Sequence, residues 1–189
     1  MKQLFSPLLY KAAEFAAIKH EGQYRKHPVL KIPYIVHPMG VACILLRAGY
    51  DDEVVAAGIL HDVLEDCGIT ANELAERFSP RISKLVVQVS EMDKSLSWAE
   101  RKRLYCEELE KAEDEAVAIA AADHLHNLHS FVQALEDEPE RAREMFKVDL
   151  GKKMENEERC LEIFKRRLNG LLADEIREVL SRLRKKLTL

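Results

Sequence analysis

Glycine and proline are scarce in this chain, seven and six among 189 residues. Without them the many tight turns of a sheet-rich fold are hard to build. No apolar run approaches the length of a membrane span, which excludes a bilayer-embedded role from the reading. An excess of positive charge is also missing: 29 Lys and Arg stand against 33 Asp and Glu, for a net charge of −4. The chain therefore has no general attraction to nucleic acid or anionic lipid, and a polyanionic substrate must be met by a local basic patch. The four cysteines (Cys43, Cys67, Cys106, Cys160) are far apart and form no C-x-x-C pair. With no secretory leader pattern beside them, the expectation is free thiols in a soluble, cytoplasmic protein with no membrane partner.

What the chain does contain is Ala, Leu, Glu, Lys and Arg, which favour helices. We expect one all-α domain over residues 1–189, a helical bundle with its motifs within about residues 10–135 and further helices over about 139–187. Ser6-Pro7 should start the first helix, which runs toward Gly22. The stretch from Gly22 to Pro38 holds three prolines and the basic residues Arg25, Lys26 and Lys31, so it should cross the surface as a loop. A second helix is expected from His37-Pro38 to Gly49. Asp51 should cap a third, ending near Cys67-Gly68. Thr70 with Glu73, Ser79 with Pro80, and Ser97 with Glu100 mark further starts. A helix is expected from about Glu113 to Leu135, a long charged one from Pro139, and a last one around Asp174 to Lys186.

Chemistry concentrates at His61-Asp62 followed by Glu65-Asp66. In one continuous helix His61 stacks over Glu65 and Asp62 over Asp66, putting an imidazole and three carboxylates within two turns. Val54, Val55, Ile59, Leu60, Val63 and Leu64 bracket them, so the acidic face borders a core and is costly to desolvate without a cation. His37 and Asp123 lie on two other expected helices. Together His37, His61, Asp62 and Asp123 offer two imidazoles and two carboxylates, a set suited to a divalent first-row ion such as Mn²⁺ rather than to Ca²⁺ or structural Zn²⁺. Of His124, His126 and His129, at most one should approach such a site, because their helical angles scatter. Arg25 and Lys26, on a short loop before His37, can reach over it to hold phosphates or stack on a base.

Four segments carry a resemblance. Ala16 to Lys26 reads AAIKHEGQYRK, Pro33 to Pro38 PYIVHP, Leu60 to Asp66 LHDVLED, and Ala122 to Asn127 ADHLHN. In order and spacing they resemble the H…HD…D signature of the HD-domain metal-dependent phosphohydrolases, and within it the RelA/SpoT-type small alarmone hydrolases that act on guanosine 3′,5′-bis(diphosphate). The resemblance implies manganese at His37, His61, Asp62 and Asp123, and water activation by Glu65 and Asp66. It also implies a guanine-nucleotide substrate near Asn127 and a second phosphate cluster at Lys94, Arg101 and Lys102. Three positions differ from the usual pattern: Val36, Cys67 and His124, and the loop His27 to Ile32 is more apolar than is common. The implied reaction is release of pyrophosphate from the 3′ position. An HD-type 5′-nucleotidase and a non-catalytic nucleotide sensor are the rival readings, and a homo-oligomer is compatible with each.

Overall fold

The computed structural model describes residues 4–91, 95–145, 149–168 and 170–187, and among them the chain is helical with no β-strand. Helix α1 (Pro7–Lys19) starts where expected: the Ser6 hydroxyl accepts from the Leu9 amide, and Pro7 sits in the first turn, where its missing N–H costs nothing. Gly22, at φ 76°, turns the chain into the loop. There a single antiparallel bridge pairs Tyr24 with Pro33. The Arg25 amide donates to the Ile32 carbonyl (2.9 Å) and the Tyr34 amide to the Gln23 carbonyl (3.0 Å), so the basic loop is closed at its base.

Helix α2 (Val36–Arg47) follows, and Asp51 then caps α3 (Asp52–Leu60) by accepting from the amides of Glu53 and Val54. Here the structure corrects the sequence reading. The expected single helix through Cys67 is interrupted after Leu60, and a one-turn helix α4 (Val63–Asp66) resumes beyond His61 and Asp62. Both residues keep near-helical angles, yet neither belongs to a helix. Every residue of α3 from Val54 to Leu60 is buried, because α1, α2, α6 and α8 pack around it. Gly58 leaves room at the crossing with α2: a β-carbon there would lie 2.4 Å from Leu45 Cδ1, which would have to shift.

Thr70 caps α5 (Ala71–Arg77), Ser79 caps α6 (Pro80–Val89), and Ser97 with Glu100 forms a complete capping box on α7 (Trp98–Lys111). Helix α8 (Asp114–Asp137) is about 36 Å long at the usual rise. It is buried without a break from Ala116 to Ala122, where five alanines beside Val117 and Ile119 let neighbours approach closely. The long helix expected from Pro139 is two helices, α9 (Pro139–Met145) and α10 (Leu150–Arg167), the latter capped by Asp149. Helix α11 (Leu171–Leu187) lays Leu172, Ile176, Val179, Leu180 and Leu183 inward and packs chiefly along α8. Of its basic residues, Arg182 and Lys186 pair with Glu136, and Arg184 with Glu158. No helix of the described residues is long and apolar enough to cross a membrane.

Candidate active site

In a regular helix consecutive side chains diverge by about 100°. Just beyond the break after Leu60, with backbone angles still near helical, His61 and Asp62 nevertheless bring their side-chain tips to one point: His61 Nε2 lies 3.0 Å from Asp62 Oδ2. From α2, His37 Nε2 comes within 3.6 Å of the same oxygen and 3.0 Å of Asp123 Oδ1 on α8. His61 Nε2 is 3.8 Å from that Asp123 oxygen. Thus three distant parts of the chain converge two imidazole nitrogens and two carboxylate oxygens, and His37, His61 and Asp123 are grouped tightly enough to share one ion.

The surrounding bonds aim these atoms inward. His61 Nδ1 donates to the Gly58 carbonyl at 2.8 Å, which leaves Nε2 as the lone-pair nitrogen. That Nε2 is buried, and although Asp62 Oδ2 lies 3.0 Å away the two are not aligned as a hydrogen bond. His37 Nδ1 lies 2.9 Å from His126 Nδ1, so the opposite ring nitrogen faces the carboxylates. His126 reaches it only because residue 40 is glycine: a β-carbon there would stand 2.1 Å from His126 Cδ2. The Tyr34 hydroxyl donates to Asp62 Oδ2 at 2.6 Å. The Asn127 amide donates to Asp123 Oδ1 (2.6 Å) and accepts from Arg25 Nη2 (2.7 Å), linking the basic loop to the carboxylate.

Electrostatics shows what the cluster demands. Burial disfavours a charged His61, but Asp62 and Asp123 outweigh it and push its pKa up to about 10. Burial likewise opposes ionisation of Asp62, yet the neighbouring His61 brings it down to about 2. Asp123 is held below the ordinary carboxylate range by His37 despite its burial. Tyr34 is raised by burial and by Asp62, so it stays a neutral donor. Two ionised carboxylates thus share a half-buried point that calls for positive charge, which protonated His61 supplies in the metal-free protein and a cation replacing its Nε2 proton would supply instead. Neighbouring donors around a first-row ion stand about 3 Å apart, and this donor set fits a divalent cation.

The remaining candidates divide. Asp66 lines a cleft of about 530 Å³ together with Arg25, Lys26, Lys102, Asp123 and Asn127. Glu65 accepts from the Glu91 amide at 2.6 Å and feels the Asp62 charge. Burial first, then the nearby Asp62 and Glu91 charges, raise its pKa to about 7. Lys102 is in the cleft but bound to Glu91 at 2.5 Å. Arg101 is not brought there. It lies 3.6 Å from Glu91 and lines a separate cavity with Val87, Leu104 and Tyr105. Lys94 lies outside the described residues.

Sequence reasoning missed several residues. Lys153 and Glu157 of α10 line the cleft, as does His124, whose Nδ1 bonds Glu157 Oε2 at 2.6 Å. Two histidines of the cluster therefore approach the site, His124 in the cleft and His126 behind His37, while His129 pairs with Glu175 at the surface. A signal for Arg101 was present: adjacent helical residues diverge, so Arg101 and Lys102 could not both face one cleft.

Known proteins resemble this chain in sequence and in fold. A family model described as HD domain matches residues 12–148. A guanosine-3′,5′-bis(diphosphate) 3′-pyrophosphohydrolase MESH1 of Xenopus tropicalis is 42% identical over 123 residues, 64% of this chain and 68% of that protein. Its Homo sapiens counterpart is 44% identical over 122 residues, covering 64% and 67%. A solved structure of a metazoan ortholog of SpoT, described as hydrolysing ppGpp, superposes with a TM-score of 0.79 at 28% identity, covering 96% of this chain and 98% of the other.

Proposed function

The chain belongs to the HD-domain family, and on that premise we propose that it is a metal-dependent phosphohydrolase that releases pyrophosphate from the 3′ position of guanosine 3′,5′-bis(diphosphate). One observation carries the reading: His37, His61, Asp62 and Asp123 converge at 3.0–3.8 Å beside a cleft lined with Arg25, Lys26 and Lys102. The names of the relatives supply the nucleotide, and the cationic cleft supplies a reason for it.

His37, His61, Asp62 and Asp123 would hold the cation, and their mixed nitrogen and oxygen donors favour Mn²⁺. When bound, such an ion supplies Lewis-acid charge to phosphoryl oxygens and makes water more acidic. The residues do the rest. Tyr34 and Asn127 fix the two carboxylates in orientation. Arg25, with its planar fork, and Lys26 take the phosphates at the loop side of the cleft, and Lys102 takes them from α7. Glu65, poised near neutrality, accepts the proton of the attacking water, and Asp66 orients that water from the cleft wall. The water oxygen bonds to the phosphorus on the 3′ oxygen, that P–O bond breaks, and the 3′ oxygen leaves as the hydroxyl of guanosine diphosphate with the proton that Glu65 had accepted, pyrophosphate being the other product. Four free cysteines support a cytoplasmic setting.

The test is product chromatography with the Mn²⁺-loaded protein. Guanosine diphosphate and pyrophosphate are expected from guanosine tetraphosphate. Intact tetraphosphate with phosphate released from a 5′-monophosphate would establish the nucleotidase reading instead. Nucleotide binding without turnover of either would leave a sensor.

A further inference from the structure

Two cysteines meet inside the protein at a place the proposed reaction does not use. Cys106 of α7 and Cys160 of α10 are 5% and 0% exposed, and their sulfur atoms lie 3.6 Å apart. From these positions we propose that Cys106 and Cys160 are a thiol pair that a hydroperoxide converts into an intramolecular disulfide between α7 and α10.

The geometry supplies proximity, access and a nucleophile. A disulfide needs a sulfur separation of about 2.05 Å, so the two side chains must close by about 1.5 Å between them. The helices they sit on are already held together: Arg166 pairs with Glu110, and Arg167 donates to the carbonyls of Glu110 (2.7 Å) and Ala112 (2.6 Å). A cavity of about 460 Å³ between the same helices reaches Cys106, lined by Arg103, Arg159 and Arg166 together with Glu107, Glu110 and Glu162. A small neutral peroxide can enter there; Arg103 and Arg166 are paired with Glu107 and Glu110, and Arg159 is the guanidinium whose charge favours the thiolate that reacts. The contact with Cys160 also eases ionisation of Cys106, with Arg159, His124 and Lys102 assisting. Cys43, exposed on α2, and Cys67, which touches the His20 ring at 3.4 Å, lack this arrangement.

The chemistry balances in two steps. The Cys106 thiolate attacks one peroxide oxygen; the S–O bond forms, the O–O bond breaks, and the leaving oxygen takes the thiol proton and departs as water or alcohol. The Cys160 sulfur then attacks the sulfenic sulfur of Cys106; the S–S bond forms, the S–O bond breaks, and hydroxide leaves with the Cys160 proton as water. Two thiols lose two electrons and the peroxide gains them. The product ties α7, which brings Lys102 to the cleft one turn before Cys106, to α10, which brings Glu157 there three residues before Cys160.

The full chain is treated with a few equivalents of hydrogen peroxide and mapped by mass spectrometry without reduction, alongside Cys106→Ser and Cys160→Ser. The expected results are a loss of about 2 Da, a Cys106–Cys160 linked peptide absent from both variants, a fall from four titratable thiols to two, and a higher thermal midpoint, all reversed by dithiothreitol. Oxidation confined to Cys43 or Cys67, or Cys106 converted to sulfinic acid with no linked peptide, would overturn the proposal. Because the peptide map is read on the wild-type protein, poor folding of either variant does not blunt the result.

Discussion

The Nδ1 atoms of His37 and His126 face one another at 2.9 Å across the α2–α8 crossing. For His37 to present a lone pair at Nε2, its Nδ1 must carry the hydrogen and His126 must accept it. His126 is suited to that role, since burial and the adjacent His37 lower its pKa to about 4 and keep it neutral. His126→Ala should therefore weaken metal affinity by roughly 10–100-fold with helix content intact. Gly40→Ala, which drives a methyl group into the His126 ring, should act in the same direction. Competition against a chelating dye measures both, and unchanged affinity in His126→Ala would remove the residue from the support of His37.

Glu65 offers a pair of effects of opposite benefit. If it is the proton acceptor proposed above, its change to Gln should lower kcat by roughly 10²–10⁴-fold while metal affinity holds. In the metal-free protein its pKa of about 7 lies above the ordinary 4.5, so the folded state binds the proton more tightly than the unfolded one. Its stabilising contribution is then complete below 4.5 and disappears as the pH rises through 7. Glu65→Gln should raise the thermal midpoint at pH 8 and leave it nearly unchanged at pH 4. In turnover the cation offsets the Asp62 charge, so the rising limb of the pH–rate profile should fall at or below about pH 7. A full-rate Glu65→Gln enzyme would refute the role.

Arg25 and Asn127 should separate by kinetics although they touch. Arg25→Ala is expected to raise KM for guanosine tetraphosphate with metal affinity retained, because Asn127 still holds Asp123. Asn127→Ala removes both bonds and should impair metal binding and KM together. Arg25→Lys should rescue poorly, since a point charge lacks the fork. Identical metal affinities in the wild type and Asn127→Ala would contradict the link.

The His124–Glu157 pair is buried on both sides, at 9% side-chain exposure each. Removing one partner strands the other, so Glu157→Ala should cost roughly 3–5 kcal/mol in urea denaturation. His129→Ala breaks a pair whose side chains are 45% and 56% exposed and should change stability by no more than about 0.5 kcal/mol. Equal effects would mean that burial does not govern these pairs.

Local chemistry was legible in the sequence. The starts at Ser6, Asp51, Thr70, Ser79 and Ser97 each depend on a side chain and an amide two or three residues away, and all five cap as their spacing implies. The density of His61, Asp62, Glu65 and Asp66 is likewise local. The break after Leu60 was not legible, because the helical spacing of apolar residues continues through Val63 and Leu64 while packing around α3 decides where the backbone bonds lapse. Nor could the sequence show that His126 stands behind His37, 89 residues away, or that Glu157 meets His124 across 33. Residue type and near spacing determined which groups could bind a cation and move a proton. Only the tertiary structure decided which of them share a point, because side-chain direction is set by helix crossings such as Gly58 on Leu45 and Gly40 on His126, where the space left by one missing β-carbon selects the neighbour.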